Sequence, residues 1–199
     1  MLKSVLHNLV ARPGVYDAVQ AAAGAGLVRA RLRALAPPLP RGATVVDVGA
    51  GTGLYRDVWS ADCRYVCLDL DALKLAGFRS RHVDAAVQGD ATRLPFADRS
   101  ADAVACTLMS HHLTDVQLAA MLDEIARVLK PAAALLFADP LWRPARLPGR
   151  LLWRYDRGAH PRTAEALRAE IGRRFTMEAW EEFALWHRYA ACVARKLPT

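Results

Sequence analysis

Lysine is nearly absent from this sequence. Lys3, Lys74, Lys130 and Lys196 are the only ones in 199 residues, so the formal net charge of +7 is carried by arginine. Together with abundant alanine, this is also what a GC-rich genome produces. The four cysteines, Cys63, Cys67, Cys106 and Cys192, form no C-x-x-C pair, which argues against zinc and thiol-redox sites. Three of them fall in apolar, strand-like runs, so free core thiols in a reducing compartment are expected. No apolar stretch approaches the roughly 20 residues that cross a bilayer. The N-terminus shows no uninterrupted apolar h-region, and a cytoplasmic protein without a transmembrane segment is expected. Repeats and low-complexity segments are absent. So is the dinucleotide fingerprint G-x-G-x-x-G.

What the sequence does contain is alternation. Residues 1–36 read as helical, broken at Pro13-Gly14, with Val15, Val19, Leu27, Val28, Leu32 and Leu35 at roughly helical spacing and Pro37-Pro38-Leu39-Pro40 as the stop. Strand-like runs follow at 44–48, 64–68, 82–88, 101–109 and 132–138. Between them lie helical patterns at about 54–60, through Leu73 and Leu75 to Gly77, and from an N-cap at Thr114 to Lys130-Pro131. A helix near 163–173 and two runs at 175–183 and 187–195 close the chain. Strands this apolar belong in a parallel sheet covered on both faces, and the short link between the last two predicts an antiparallel pair.

The expected fold is therefore α/β, Rossmann-like and doubly wound: a mostly parallel seven-stranded sheet with an antiparallel C-terminal edge pair. The length suits a single domain. Its expected parts are an N-terminal helical cap (1–40), a ligand-binding core (41–139), a substrate-side insertion and helix (140–174) and the last two strands (175–199).

The core is organised around Thr44-Val45-Val46-Asp47-Val48-Gly49-Ala50-Gly51-Thr52-Gly53, which reads as a buried strand turning sharply into a helix N-terminus. Gly49, Gly51 and Gly53 would let a ligand lie against the backbone, where free N–H groups at the helix start meet it. Ligands on such sheets sit at the carboxyl ends of the strands. Each expected strand end carries a polar residue: Asp47, Asp69, Asp90, Thr107 and Asp139. One such acid alone reads as a helix N-cap; four acids and a threonine in register along one edge read as a site. Asp69, at the second strand's tip, is placed to accept both hydroxyls of a ribose.

Five stretches resemble the class I S-adenosylmethionine-dependent methyltransferases, in particular the small type 11 methyltransferase domain. They are VVDVGAGTG (45–53), YVCLDLD (65–71), GDATRLPFADRSADAV (89–104), TLMSHHLTD (107–115) and EIARVLKPAAALLFAD (124–139), in the family's order and spacing. The resemblance implies S-adenosyl-L-methionine as cofactor and S-adenosyl-L-homocysteine as product. It implies Gly49, Ala50, Gly51 and Gly53 against the methionine part with Asp47 nearby, Asp69 on the ribose and Leu70 packed on adenine. Asp90 and the Ala91 N–H would read the adenine edge, and Thr107 would meet the cofactor amine through its backbone. Leu94-Pro95-Phe96 reads as packing. The family's Lys-Pro-Gly-Gly turn is Lys130-Pro131-Ala132-Ala133 here, a departure at the sheet end away from the cofactor. Residues 1–40 and 140–199 match only in general character, and substrate choice resides there.

Methyl transfer is an in-line displacement at a sulfonium carbon, so the protein mainly aligns the acceptor and excludes water. A base is needed only where the acceptor must lose a proton. His111 and His112 follow the fourth strand and Asp139 ends the fifth, so one reading is a histidine–carboxylate pair and the other is one packed and one solvated histidine. Residues 140–174 hold nine arginines against Asp156, Glu165 and Glu170. Arg150, Arg154 and Arg157 would line one side of a helix opened by Pro148, next to Leu147 and Leu151. They are either a solvated face or a hold on an anionic acceptor, a partner or an anionic surface.

The expected activity is transfer of a methyl group to oxygen or nitrogen of a small molecule. The rivals are a catalytically silent S-adenosylmethionine-binding protein, a nucleic-acid methyltransferase and a nicotinamide oxidoreductase. Against nucleic acid stands the lack of an Asn-Pro-Pro-Tyr-type motif and of an RNA-binding appendage; against the oxidoreductase stand the glycine spacing and Gly89-Asp90-Ala91.

Overall fold

Seven strands form one sheet in the order β3-β2-β1-β4-β5-β7-β6. They are β1 (Thr44–Val48), β2 (Arg64–Asp69), β3 (Ala85–Gln88), β4 (Ala101–Thr107), β5 (Leu129–Leu141), β6 (Phe175–Ala184) and β7 (Arg188–Lys196). The structure is a computed structural model that describes residues 24–143, 149, 153 and 160–197. β1 to β5 pair in parallel, and β7 runs antiparallel between β5 and β6. This is the expected Rossmann-like sheet with its antiparallel C-terminal pair. The first half of the expected N-terminal helix, with Pro13-Gly14, Val15 and Val19, lies outside the described residues.

The apolar strands are covered on both faces because successive side chains alternate. Val46, Val48, Val104, Cys106, Leu135 and Phe137 pack under helix α3 (Asp115–Val128) and helix α4 (Ala164–Gly172). Val45, Ala103, Ala105, Leu136 and Ala138 pack under helix α1 (Ala25–Leu35) and helix α2 (Ala72–Arg79). Thr114 caps α3 in a reciprocal capping box with Gln117, which fixes that helix where the sequence put it. The four cysteines are free and buried. Among the described residues, no helix is long and apolar enough to cross a membrane.

Four expectations need correction. The fourth strand ends at Thr107 rather than Met109, because Leu108 takes a left-handed backbone with φ 53°. No α-helix occupies 54–60; the segment is a run of turns with a 3₁₀ turn at Arg56–Val58. Tyr55 and Trp59 are buried there, and the Arg56 guanidinium donates to the carbonyl oxygens of Trp59 and Ser60. The third strand is only Ala85–Gln88, and the fifth begins at Leu129 rather than Ala132 and continues past Asp139 to Leu141. That extension is held by β7, whose Tyr189 and Arg188 pair with Pro140 and Leu141.

Candidate functional site

The glycine turn is tied down rather than open. Gly49, Gly51 and Gly53 all have positive φ, at 72°, 59° and 75°. The N–H groups of Gly49 and Ala50 both donate to the Leu68 carbonyl, and that of Gly51 donates to Asp69 Oδ2 at 2.8 Å. The expectation of free N–H groups at a helix start is therefore corrected: these three amides brace the turn against the tip of β2. The glycines also differ in purpose. A Cβ on Gly49 would lie 2.4 Å from Met109 Cγ, and one on Gly53 would lie 2.4 Å from a ring carbon of Phe78. On Gly51 the nearest atom would be 3.5 Å away, so of these three glycines only Gly51 combines the left-handed backbone with room beside it.

Asp69 is buried, and each carboxylate oxygen takes one backbone N–H, from Gly51 and from Asp71 at 2.8 Å. A carboxylate oxygen has two acceptor positions, so both can still receive a hydroxyl. Leu70 beside it is 70% exposed, and Leu73 is 65% exposed; both are apolar side chains at the sheet's carboxyl edge. Asp90 is exposed, and its Oδ1 accepts from the N–H and hydroxyl of Thr92 in a local turn. Ala91 is half-buried against the core, and Thr107 is buried at the end of β4.

Asp47 is not at the strand tip but inside it, 1% exposed. Tyr65 on β2 donates its hydroxyl to Oδ2, while Oδ1 is buried with no partner among the described residues. Burial pushes the carboxyl up to about 6, the Tyr65 hydrogen bond opposes the rise, and the charge of Asp69 adds to it.

The chain leaves β4 through Leu108 at φ 53°, whose N–H donates to the Ala138 carbonyl. That kink delivers a 3₁₀ turn, Ser110–His112, onto β5. His111 Nδ1 lies 2.8 Å from Asp139 Oδ1, and the Ser110 hydroxyl donates to Asp139 Oδ2; all three residues are buried. His112 is exposed, with its ring 4.2 Å from that of His111. The structure thus brings His111 and Asp139 together and leaves His112 outside the pair.

Three residues here escaped the sequence reading. Trp153 sets its ring edge-on at 5.5 Å to His111 and 4.9 Å from His187, and His187 sits buried beside Tyr189 where β6 turns into β7. Arg162, 10% exposed, donates to the carbonyls of Ser110 and Leu113 and to Asp115. For His187 a topological signal was available: antiparallel pairing of the last strands returns their connection to the carboxyl end of β5. Of the arginine-rich window, Arg143, Arg162, Arg173 and Arg174 are ion-paired and Arg168 lies over Trp180. Arg150, Arg154 and Arg157, with Leu147, Pro148 and Leu151, lie outside the described residues.

Residues 46–137 match the family model described as a methyltransferase domain. Among curated proteins, the chain is 33% identical over 165 residues to a dimethylglycine N-methyltransferase of Parasynechococcus marenigrum, covering 74% of this chain and 56% of the relative. It is 38% identical over 111 residues to a demethylmenaquinone methyltransferase of Renibacterium salmoninarum, covering 53% and 46%. The chain thus spans about half the length of the curated relatives it matches. Among solved structures, it superposes with a TM-score of 0.78 on a chain of the complex between the Haloferax volcanii Trm112 methyltransferase activator and its methyltransferase. That match has 18% identity and covers 93% of this chain and 94% of the other.

Proposed function

We propose, from the match of residues 46–137 to the methyltransferase-domain model and the similarity to curated methyltransferases, that the chain is a class I S-adenosylmethionine-dependent methyltransferase that methylates an oxygen or nitrogen atom of a small molecule, with His111 as the base. The observation that carries this reading is the buried 2.8 Å contact between His111 Nδ1 and Asp139, one loop away from the glycine turn. S-adenosylmethionine, when bound, supplies a methyl group activated by its sulfonium.

The residues present fit that cofactor. Asp69 keeps acceptor capacity for a ribose diol, Leu70 offers an exposed apolar side chain for adenine, and Gly51 leaves space beside the backbone. The orphaned Oδ1 of Asp47 suits a cationic amine, because a buried carboxylate oxygen without a partner is costly. Thr107, Asp90 and Ala91 complete the proposed set.

An ionised Asp139 accepts only, so it fixes the His111 proton on Nδ1 and leaves the lone pair on Nε2. Nε2 takes the proton of the acceptor's hydroxyl or ammonium group, and Asp139 steadies the imidazolium that results. The Ser110 hydroxyl holds the second oxygen of Asp139, so the carboxylate cannot rotate away. Trp153 and His187 form a wall beside His111 that excludes water and confines the acceptor.

The named substrates of the relatives, dimethylglycine and demethylmenaquinone, support a small-molecule acceptor. A hold on an anionic acceptor by Arg150, Arg154 and Arg157 stays a proposal drawn from the sequence, because those residues lie outside the described ones. Incubation with methyl-labelled S-adenosylmethionine and panels of amines, phenols and carboxylic acids tests the reading. Label transfer with release of S-adenosylhomocysteine is expected for at least one class. Cofactor binding without turnover on any class would favour the silent cofactor-binding protein.

A further inference from the structure

We infer that Tyr65 is a positioning residue for the cationic end of the cofactor: its hydroxyl pins one oxygen of Asp47 and so leaves the other for the cofactor's ammonium group. This rests on the cofactor reading above. Tyr65 is itself fully buried, on β2 next to β1. Its ring is held between Phe78, stacked at 6.1 Å, and the guanidinium of Arg56, 4.8 Å over the ring. Arg56 is fixed in turn by two hydrogen bonds to Asp84, at 2.8 and 3.2 Å, in a mostly buried pair. A cation over the ring makes the phenol a better donor, and its effect is to oppose the rise that burial imposes on the Tyr65 hydroxyl.

The groups around Asp47 explain why such a device is needed. Tyr65, Cys67 and Asp69 face it from β2, and Cys106 bears on it from β4, where the register partner is Ala105. None of these is a cation, and Asp47 has no ion pair among the described residues. Asp47 therefore shares a buried place with a second carboxylate, the two being only 1% and 8% exposed, and while Asp69 takes the Gly51 and Asp71 N–H groups, Tyr65 is the one donor to Asp47 among the described residues. A ligand bearing a positive charge relieves that repulsion, and it must meet Asp47 through the one oxygen that Tyr65 does not hold. A simple packing tyrosine would need neither the hydroxyl contact nor the arginine stacked on its ring.

The test combines a titration of the ligand-free protein with two binding probes. Carboxyl-carbon NMR should place the Asp47 midpoint near 6 in the wild type, and Tyr65→Phe, which keeps the ring, should raise it by about one pH unit. Affinity for S-adenosylhomocysteine should then fall in Tyr65→Phe by about tenfold near pH 5 and only about twofold at pH 7. Affinity for 5′-deoxy-5′-methylthioadenosine, which lacks the amino-acid part, should stay within about twofold throughout. In an Asp47→Asn background, adding Tyr65→Phe should change S-adenosylhomocysteine affinity by less than about twofold. An unmoved Asp47 midpoint, equal weakening of both probes, or the same loss without Asp47 would overturn the assignment. A wild type that binds neither probe would instead remove the cofactor reading, and Tyr65's role with it.

Discussion

Arg162 and Ser110 are joined across the carboxyl edge of the sheet: the Arg162 Nη1 donates to the Ser110 carbonyl oxygen at 3.0 Å, while its Nη2 takes the Leu113 carbonyl at 2.6 Å. One arginine therefore closes the backbone of the turn that carries His111. Its third partner, Asp115, is 93% exposed and adds little. Arg162→Ala should cost about 3–6 kcal/mol in urea unfolding, because hydrogen bonds from a charged donor are worth about 1.5–3 each and two carbonyls lose theirs. It should lower kcat while S-adenosylmethionine affinity holds.

The departure at Lys130-Pro131-Ala132-Ala133 has a measurable cost. Ala132 has φ 59°, the left-handed region, at the place where the resembling family has glycine. A left-handed backbone costs a non-glycine residue about 1–2 kcal/mol. Ala132→Gly should stabilise the protein by about 1 kcal/mol and raise Tm by about 2–4 °C, without touching activity. The turn stands at the far end of the sheet from the proposed site.

Much of this architecture is legible from local chemistry. The β-branched run at Val45-Val46 and the Thr114 cap each carry their own signal, and each element lies where that signal puts it. The helix expected at 54–60 fails because Tyr55 and Trp59 are drawn into the core and Arg56 is drawn to Asp84, contacts that no local pattern encodes. The pairing of His111 with Asp139 follows from β4 and β5 being neighbours, so topology made it legible. Trp153, His187 and Arg162 reach the same place from segments far along the chain, and their roles come from tertiary packing alone. Asp47 and Asp90 were both read as strand-end acids, yet one is inside a strand and the other caps an exposed turn.

The three turn glycines should respond unequally to alanine. Gly53→Ala forces a Cβ to 2.4 Å from the fully buried Phe78 ring and should destabilise by about 3 kcal/mol or more. Gly49→Ala puts a Cβ 2.4 Å from Met109 Cγ and 2.9 Å from Met109 Cβ, the anchored end of that side chain, and should cost a comparable amount. Gly51→Ala has room and should carry only the backbone penalty of about 1–2 kcal/mol, with its main effect on cofactor affinity. Thermal melts and calorimetric titrations of the three variants distinguish these outcomes.

Asp47 makes both folding and binding depend on pH. Its folded value near 6 exceeds its ordinary 3.8, so the folded chain binds this proton more tightly than the unfolded chain. Its contribution to stability is therefore fully present below the ordinary value and is lost as pH rises through about 6. A cationic ligand has the opposite preference and favours the carboxylate. S-adenosylhomocysteine binding should release a proton around pH 6 and weaken below it, and Asp47→Asn should flatten that dependence. Calorimetry in buffers of different ionisation enthalpy reads the proton directly.

The proposed role of His111 as a base held by Asp139 is tested most directly by single-turnover methyl transfer to an acceptor identified from the labelled panel. His111→Ala should lower the rate by roughly 10²- to 10⁴-fold, with S-adenosylmethionine affinity unchanged. His112→Ala, at the exposed neighbour, should stay within about threefold of wild type. Equal turnover in both variants and the wild type would contradict the account and leave alignment of the acceptor as the whole of the chemistry.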